Sequence, residues 1–109
     1  MRVEFIETPL FTRCITELLS DDDYRELQEE LIRNPKAGDV IPGGDGLRKF
    51  RWRMAGRGKR GGIRVIYYCW SKGRLVMYHA YDKTKQGDLT SDQLSRLRSL
   101  VRALSGEAS

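Results

Sequence analysis

The side chains with the most chemical capacity fall in one stretch: Arg48-Lys49-Phe50-Arg51-Trp52-Arg53, then Gly56-Arg57-Gly58-Lys59-Arg60-Gly61-Gly62, then Arg64. Residues 47–64 carry eight basic side chains and no acidic one, whereas residues 4–30 carry nine acidic and two basic. Such segregation in 109 residues of net charge +5 predicts an anionic partner on the basic side, with nucleic acid the leading candidate. Lys49, Arg51 and Arg53 alternate with Phe50, Trp52 and Met54. Successive strand side chains point to opposite faces, so the spacing predicts a strand with one cationic face and its aromatics turned to the core. The glycine-rich stretch is not a Walker-type nucleotide loop, because Arg60 follows Gly58-Lys59 and Arg53 stands where that motif begins with glycine. Its glycines let the backbone approach a ligand, and Arg57, Lys59 and Arg60 add donors that fit phosphate.

A second group of polar residues, Tyr81-Asp82-Lys83-Thr84-Lys85, follows the last apolar alternation, where side chains can project into a cleft. His79 is the sole histidine, so the paired-histidine acid and base of some ribonucleases is excluded. It is expected to be a partly buried structural residue near the end of the sheet, with catalysis a secondary reading. Cys14 and Cys69 have no second Cys or His at metal-ligand spacing, which predicts buried free thiols, no metal and no cofactor.

The elements that position these groups follow from local pattern. Residues 2–6 form a strand, and Thr8-Pro9 caps a helix running to about Leu19. Ser20-Asp21-Asp22-Asp23 caps a second helix with Tyr24, Leu27 and Leu31 on one face, ended by Asn34-Pro35. Residues 36–46 form a loop that Val40-Ile41 anchors in the core. Strands follow at 47–54, at the β-branched and aromatic run 63–70, and after the Ser71-Lys72-Gly73 turn at 74–81, where Leu75, Met77, His79, Tyr81 and Lys83 share a face. Thr90-Ser91-Asp92-Gln93 is a capping box, and Leu94, Leu97, Val101 and Leu104 recur at helical spacing until Gly106. The fold class is α+β: a small antiparallel, mixed-edge sheet of about four strands, two N-terminal helices and a C-terminal helix, with the helices on one face.

The length suits a single domain over residues 1–109, and the 39% of apolar residues supplies a modest core. No apolar run approaches the roughly 18 residues that span a bilayer, and the first residues open no signal-type segment, so a cytoplasmic protein without membrane contact is expected.

Taken together, Gly46-Leu47-Arg48-Lys49-Phe50-Arg51, Lys59-Arg60-Gly61-Gly62-Ile63-Arg64-Val65-Ile66-Tyr67-Tyr68 and Tyr81-Asp82-Lys83 resemble the HigB branch of RelE-like toxins of type II toxin-antitoxin systems. Residues 34–41 and Asp88-Leu89-Thr90 extend the resemblance over nearly the whole chain. It implies a metal-independent endoribonuclease that cuts messenger RNA in the ribosomal A site and is silenced by a cognate antitoxin. Such an antitoxin often carries a helix-turn-helix domain, so operator DNA is met only through it. The resemblance assigns Arg64 to the charge on the scissile phosphate, Lys49 and Arg51 to the basic pair on the preceding strand, and Tyr81 and Lys83 to the polar end of the last strand. It leaves Arg48, Arg53, Arg57, Lys59, Arg60 and Lys85 to RNA and ribosome binding. Attack by the ribose 2′-hydroxyl fits such a site, since RNA carries its own nucleophile. Crowding by cations favours Lys83 or Lys49 as base, with Tyr81 donating or orienting a proton. Two further readings share the same residues: a nucleic-acid-binding module without catalysis, and an inhibitor of this fold acting on another target.

Overall fold

The computed structural model describes residues 2–53, 62–71 and 73–108, the side chains of 105–108 excepted. Met54, Arg57, Lys59 and Arg60 therefore lie outside the described residues. The order is β1 (Glu4–Glu7), α1 (Pro9–Leu18), α2 (Asp21–Arg33), β2 (Asp39–Val40), β3 (Arg48–Trp52), β4 (Ile63–Ser71), β5 (Arg74–Asp82) and α3 (Ser91–Ala108).

Each helix starts where the sequence offers an acceptor. The Thr8 hydroxyl accepts from the Phe11 amide at 3.1 Å, with Pro9 opening α1, and Ser20 accepts from Asp23 at 3.1 Å. Three aspartates in the first turn of α2 sit at the positive end of its dipole. Before α3 the capping box closes both ways: the Gln93 amide donates to Thr90 Oγ1 at 3.1 Å, and the Thr90 amide donates to Gln93 Oε1 at 2.9 Å. The last helix continues past Gly106 to Ala108.

The sheet is five-stranded in the order β1-β5-β4-β3-β2. Strand β1 pairs parallel to β5, and the other pairings are antiparallel. The α+β class and the mixed edge match expectation, but the strand count does not. Residues expected as loop add β2, whose Asp39 and Val40 pair with Lys49 and Arg48. Val40, expected as a core anchor, is 55% exposed on that short edge, while Ile41 beside it is partly buried.

The helices do not share one face. Phe11, Ile15, Leu27 and Leu31 pack with Phe50, Trp52, Val65, Tyr67 and Met77 on one side of the sheet. Leu97 and Val101 of α3 pack with Leu47, Ile66, Val76, Tyr78 and Tyr81 on the other. A sheet apolar on both faces needs a layer on each, and the strongly apolar β4 and β5 are covered twice. The cysteines are free and half-buried, where buried thiols were expected; the Cys69 thiol donates to the Pro35 carbonyl at 3.5 Å.

Candidate active site

Residues 48–52 form β3 because β-branched and aromatic neighbours on β4 complete a pleated surface for Phe50 and Trp52, both buried. Alternation then turns Lys49 and Arg51 to the α3 side. The register places Arg51 opposite Arg64, and Arg64 opposite Tyr81, so the three side chains form one row across β3, β4 and β5. Directly opposed residues have Cβ atoms about 5 Å apart. Lys49 lies one step along on the same face, opposite Ile66.

Tyr81 reaches this row through a bulge. Ile66 pairs with His79 but Tyr67 pairs with Met77, so Tyr78 is an extra residue on β5. One inserted residue reverses the alternation beyond it. Leu75 and Met77 accordingly face α1 and α2, whereas Tyr81 joins the α3 side; the expectation that all of them share a face fails at the bulge.

Tyr81 is 5% exposed and Arg64 8%, so the floor of the row is largely withdrawn from water. Burial, and then the charge of Asp88, push the Tyr81 phenol up to about 12, against the opposing pull of Arg64. The hydroxyl stays protonated throughout the physiological range and can donate.

Lys49 is held by an acid that sequence reasoning passed over. Its ammonium lies 3.2 Å from Asp88 Oδ1, the Tyr81 hydroxyl donates to the same oxygen at 3.5 Å, and the Leu89 amide donates to it at 2.8 Å. The Leu89 N–H and then Lys49 hold the Asp88 carboxyl below the ordinary carboxylate range. Lys49 thus meets a carboxylate where a crowd of cations was expected. The signal was present in the acid just ahead of the capping box, but its partner is 39 residues away in sequence. Lys49 and Asp88 line a cleft of about 380 Å³, with Arg51 and Asp39 completing its polar part and Ile41 and Leu94 its apolar wall.

Lys83 lies just beyond β5, its amide bonded to the Gly62 carbonyl at 3.1 Å and its ammonium donating to the Gly87 carbonyl at 2.6 Å. Gly62 makes this junction possible. It has a φ of +85°, and a Cβ there would stand 2.6 Å from the Trp52 carbonyl oxygen.

Other predicted contact residues are not brought to the row. Arg48 shares the α1/α2 side with Tyr67, its guanidinium donating to the Lys36 and Gly38 carbonyls at 3.2 and 2.7 Å. Arg53 lies past the end of β3 and, with Trp52, lines a depression shared with Glu26, Glu29 and Glu30 of α2. Lys85 borders a different depression with Cys14, Glu17, His79 and the edge of Tyr81. His79 is 8% exposed; its Nδ1 lies 3.8 Å from the Cys14 sulfur and its buried Nε2 has no partner among the described residues. Burial alone lowers its pKa, so the ring is neutral near pH 7.

The arrangement can seat a phosphate against two guanidinium groups and an ammonium, with a neutral phenol as proton donor beside them. Among the described residues no group of three or more His, Cys, Asp or Glu could hold a metal ion, and no helix is long and apolar enough to cross a membrane. No protein-family model matches the chain.

Proposed function

We propose that this protein is the toxin of a type II toxin-antitoxin pair, an endoribonuclease of the RelE/HigB type that cuts messenger RNA on the ribosome in the cytoplasm. The observation that carries the reading is the cross-strand row Arg51–Arg64–Tyr81 beside Lys49. Like charges placed directly opposite cost a sheet stability, so two arginines side by side are better explained by an anion than by packing. The resemblance of the sequence to the HigB branch narrows that anion to an RNA phosphodiester.

In this reading the ribose 2′-oxygen attacks the adjacent phosphorus, the bond to the 5′-oxygen breaks, and a 2′,3′-cyclic phosphate and a free 5′-hydroxyl result. Arg64 and Arg51 stabilise the charge that grows on the phosphorane oxygens, because a guanidinium remains charged and presents a planar fork. The protonated Tyr81 hydroxyl gives a proton toward the leaving oxygen, Lys83 takes the proton of the attacking 2′-hydroxyl, and Lys49, paired with Asp88, remains a cation beside the phosphate. A cognate antitoxin covers the basic face and carries any contact with operator DNA.

The test is expression of the chain with and without the neighbouring antitoxin gene, with RNA ends mapped in both. Growth arrest with new ends inside translated codons, reversed by the antitoxin, is the expected result. Tight RNA binding without new ends would favour the non-catalytic module.

A further inference from the structure

We propose that Asp88 is a positioning residue of this site: it fixes the Lys49 ammonium on the cleft wall and the Tyr81 hydroxyl next to it, and acts on RNA only through them. The inference rests on the ribonuclease reading of the cleft. Asp88 Oδ1 gathers three donors from three separate places in the chain: Lys49 on β3 at 3.2 Å, Tyr81 at the end of β5 at 3.5 Å, and the Leu89 amide at 2.8 Å. The amide ties the carboxylate, whose side chain is 69% exposed, to its own backbone just ahead of α3. An acid on the wall of a phosphate site also repels substrate, so its presence there needs a reason beyond binding. Holding two flexible or rotatable donors in register supplies that reason. A free lysine side chain loses rotamer entropy on being fixed, and a pre-formed ion pair removes part of that cost from the substrate-bound state. The carboxylate remains ionised because the amide and Lys49 both favour its charged form.

Asp88→Asn separates positioning from structure. The amide oxygen of asparagine can still accept from Leu89, so the start of α3 is preserved while the charge that holds Lys49 is lost. Asp45→Asn is the charge-matched control: Asp45 pairs with Arg102 away from the cleft, and asparagine tolerates its φ of +56°. Cleavage of a ribosome-bound messenger should fall in kcat for Asp88→Asn, by on the order of 10²-fold, with KM unchanged or lower. Asp88→Glu should recover part of the loss, and Asp45→Asn should cut like the parent. In parallel, acylation of the Lys49 amine by an N-hydroxysuccinimide ester, read by peptide mass, should speed up several-fold in Asp88→Asn. A parental kcat in Asp88→Asn, a loss confined to KM, or an equal loss in Asp45→Asn would each overturn the proposal. If the parent cuts no RNA, the ribonuclease reading falls by itself. The labelling still decides on Asp88 in that case, because equal Lys49 acylation in parent and Asp88→Asn overturns the positioning role.

Discussion

Replacing Arg64 tests the site where stability and chemistry can be told apart. Arg64 is only 8% exposed, so Arg64→Ala removes buried stem as well as charge. Two methylenes leave the α3 side of β4, worth about 1.6 kcal/mol at roughly 0.8 kcal/mol each. A domain of ordinary stability, on the order of 5–15 kcal/mol, survives that loss. The expected cost in catalysis is larger: removing one well-placed donor to a developing oxyanion lowers the rate about 10²- to 10³-fold, or 3–4 kcal/mol. Arg64→Lys then divides the two effects. Its stem is retained and should restore most of the melting temperature, while an ammonium cannot reproduce the planar fork and should recover little rate. The assay is primer extension on a messenger translated by purified ribosomes, beside thermal melts of all three proteins. Native cutting by Arg64→Lys, or a rate in Arg64→Ala that falls only as far as its folded fraction, would refute the assignment of Arg64 to the phosphate.

Tyr81→Phe keeps the buried ring and removes only the donor. Its melting temperature should change by no more than about 1 kcal/mol implies, whereas cleavage should drop on the order of 10²-fold or more; equal rates would remove the phenol from the mechanism. Stability should hold a plateau between two pH limits in chemical denaturation. The folded pKa of Tyr81 is raised from 10.0 to about 12, so the unfolded chain loses its proton first and stability falls as pH rises from about 10. His79 is lowered from 6.5, so the unfolded chain gains a proton first and stability falls as pH drops below that value; a flat profile across either limit contradicts the burial of that group. RNA affinity should weaken steeply with salt, and Arg51→Ala should reduce the log-log slope by about 0.7, the share of one single-strand phosphate contact, with an unchanged slope counting against Arg51 as a contact. Gly62→Ala, strained at a positive φ and pressed on the Trp52 carbonyl, should lower the melting temperature and cleavage together, and a neutral outcome would show that the strands accommodate the shift.

Local chemistry determined much of this protein. The caps at Thr8, Ser20 and Thr90-Gln93 fix where helices begin through bonds spanning three residues, and short-range periodicity is enough to read them. The same holds for the cationic face of β3, since Lys49 and Arg51 are two apart on a regular strand. What depends on distant pairing was not legible. A period-two reading puts Tyr81 with Leu75 and Met77, but the extra residue at Tyr78 exists only relative to β4 and turns Tyr81 over to Arg64 and Arg51. Alternation alone puts Arg48 on the face opposite Lys49, but its capture there by the Lys36 and Gly38 carbonyls depends on where the fold lays the preceding loop. Asp88 looks like an ordinary acid before a helix until the fold brings Lys49 and Tyr81 to its carboxylate. The α3 helix is amphipathic on its own, but which face of the sheet it covers was decided by the second apolar surface that β4 and β5 create only when paired. Residue types and spacing supplied the groups, and the cross-strand register, set by long-range pairing and one bulge, chose which of them meet.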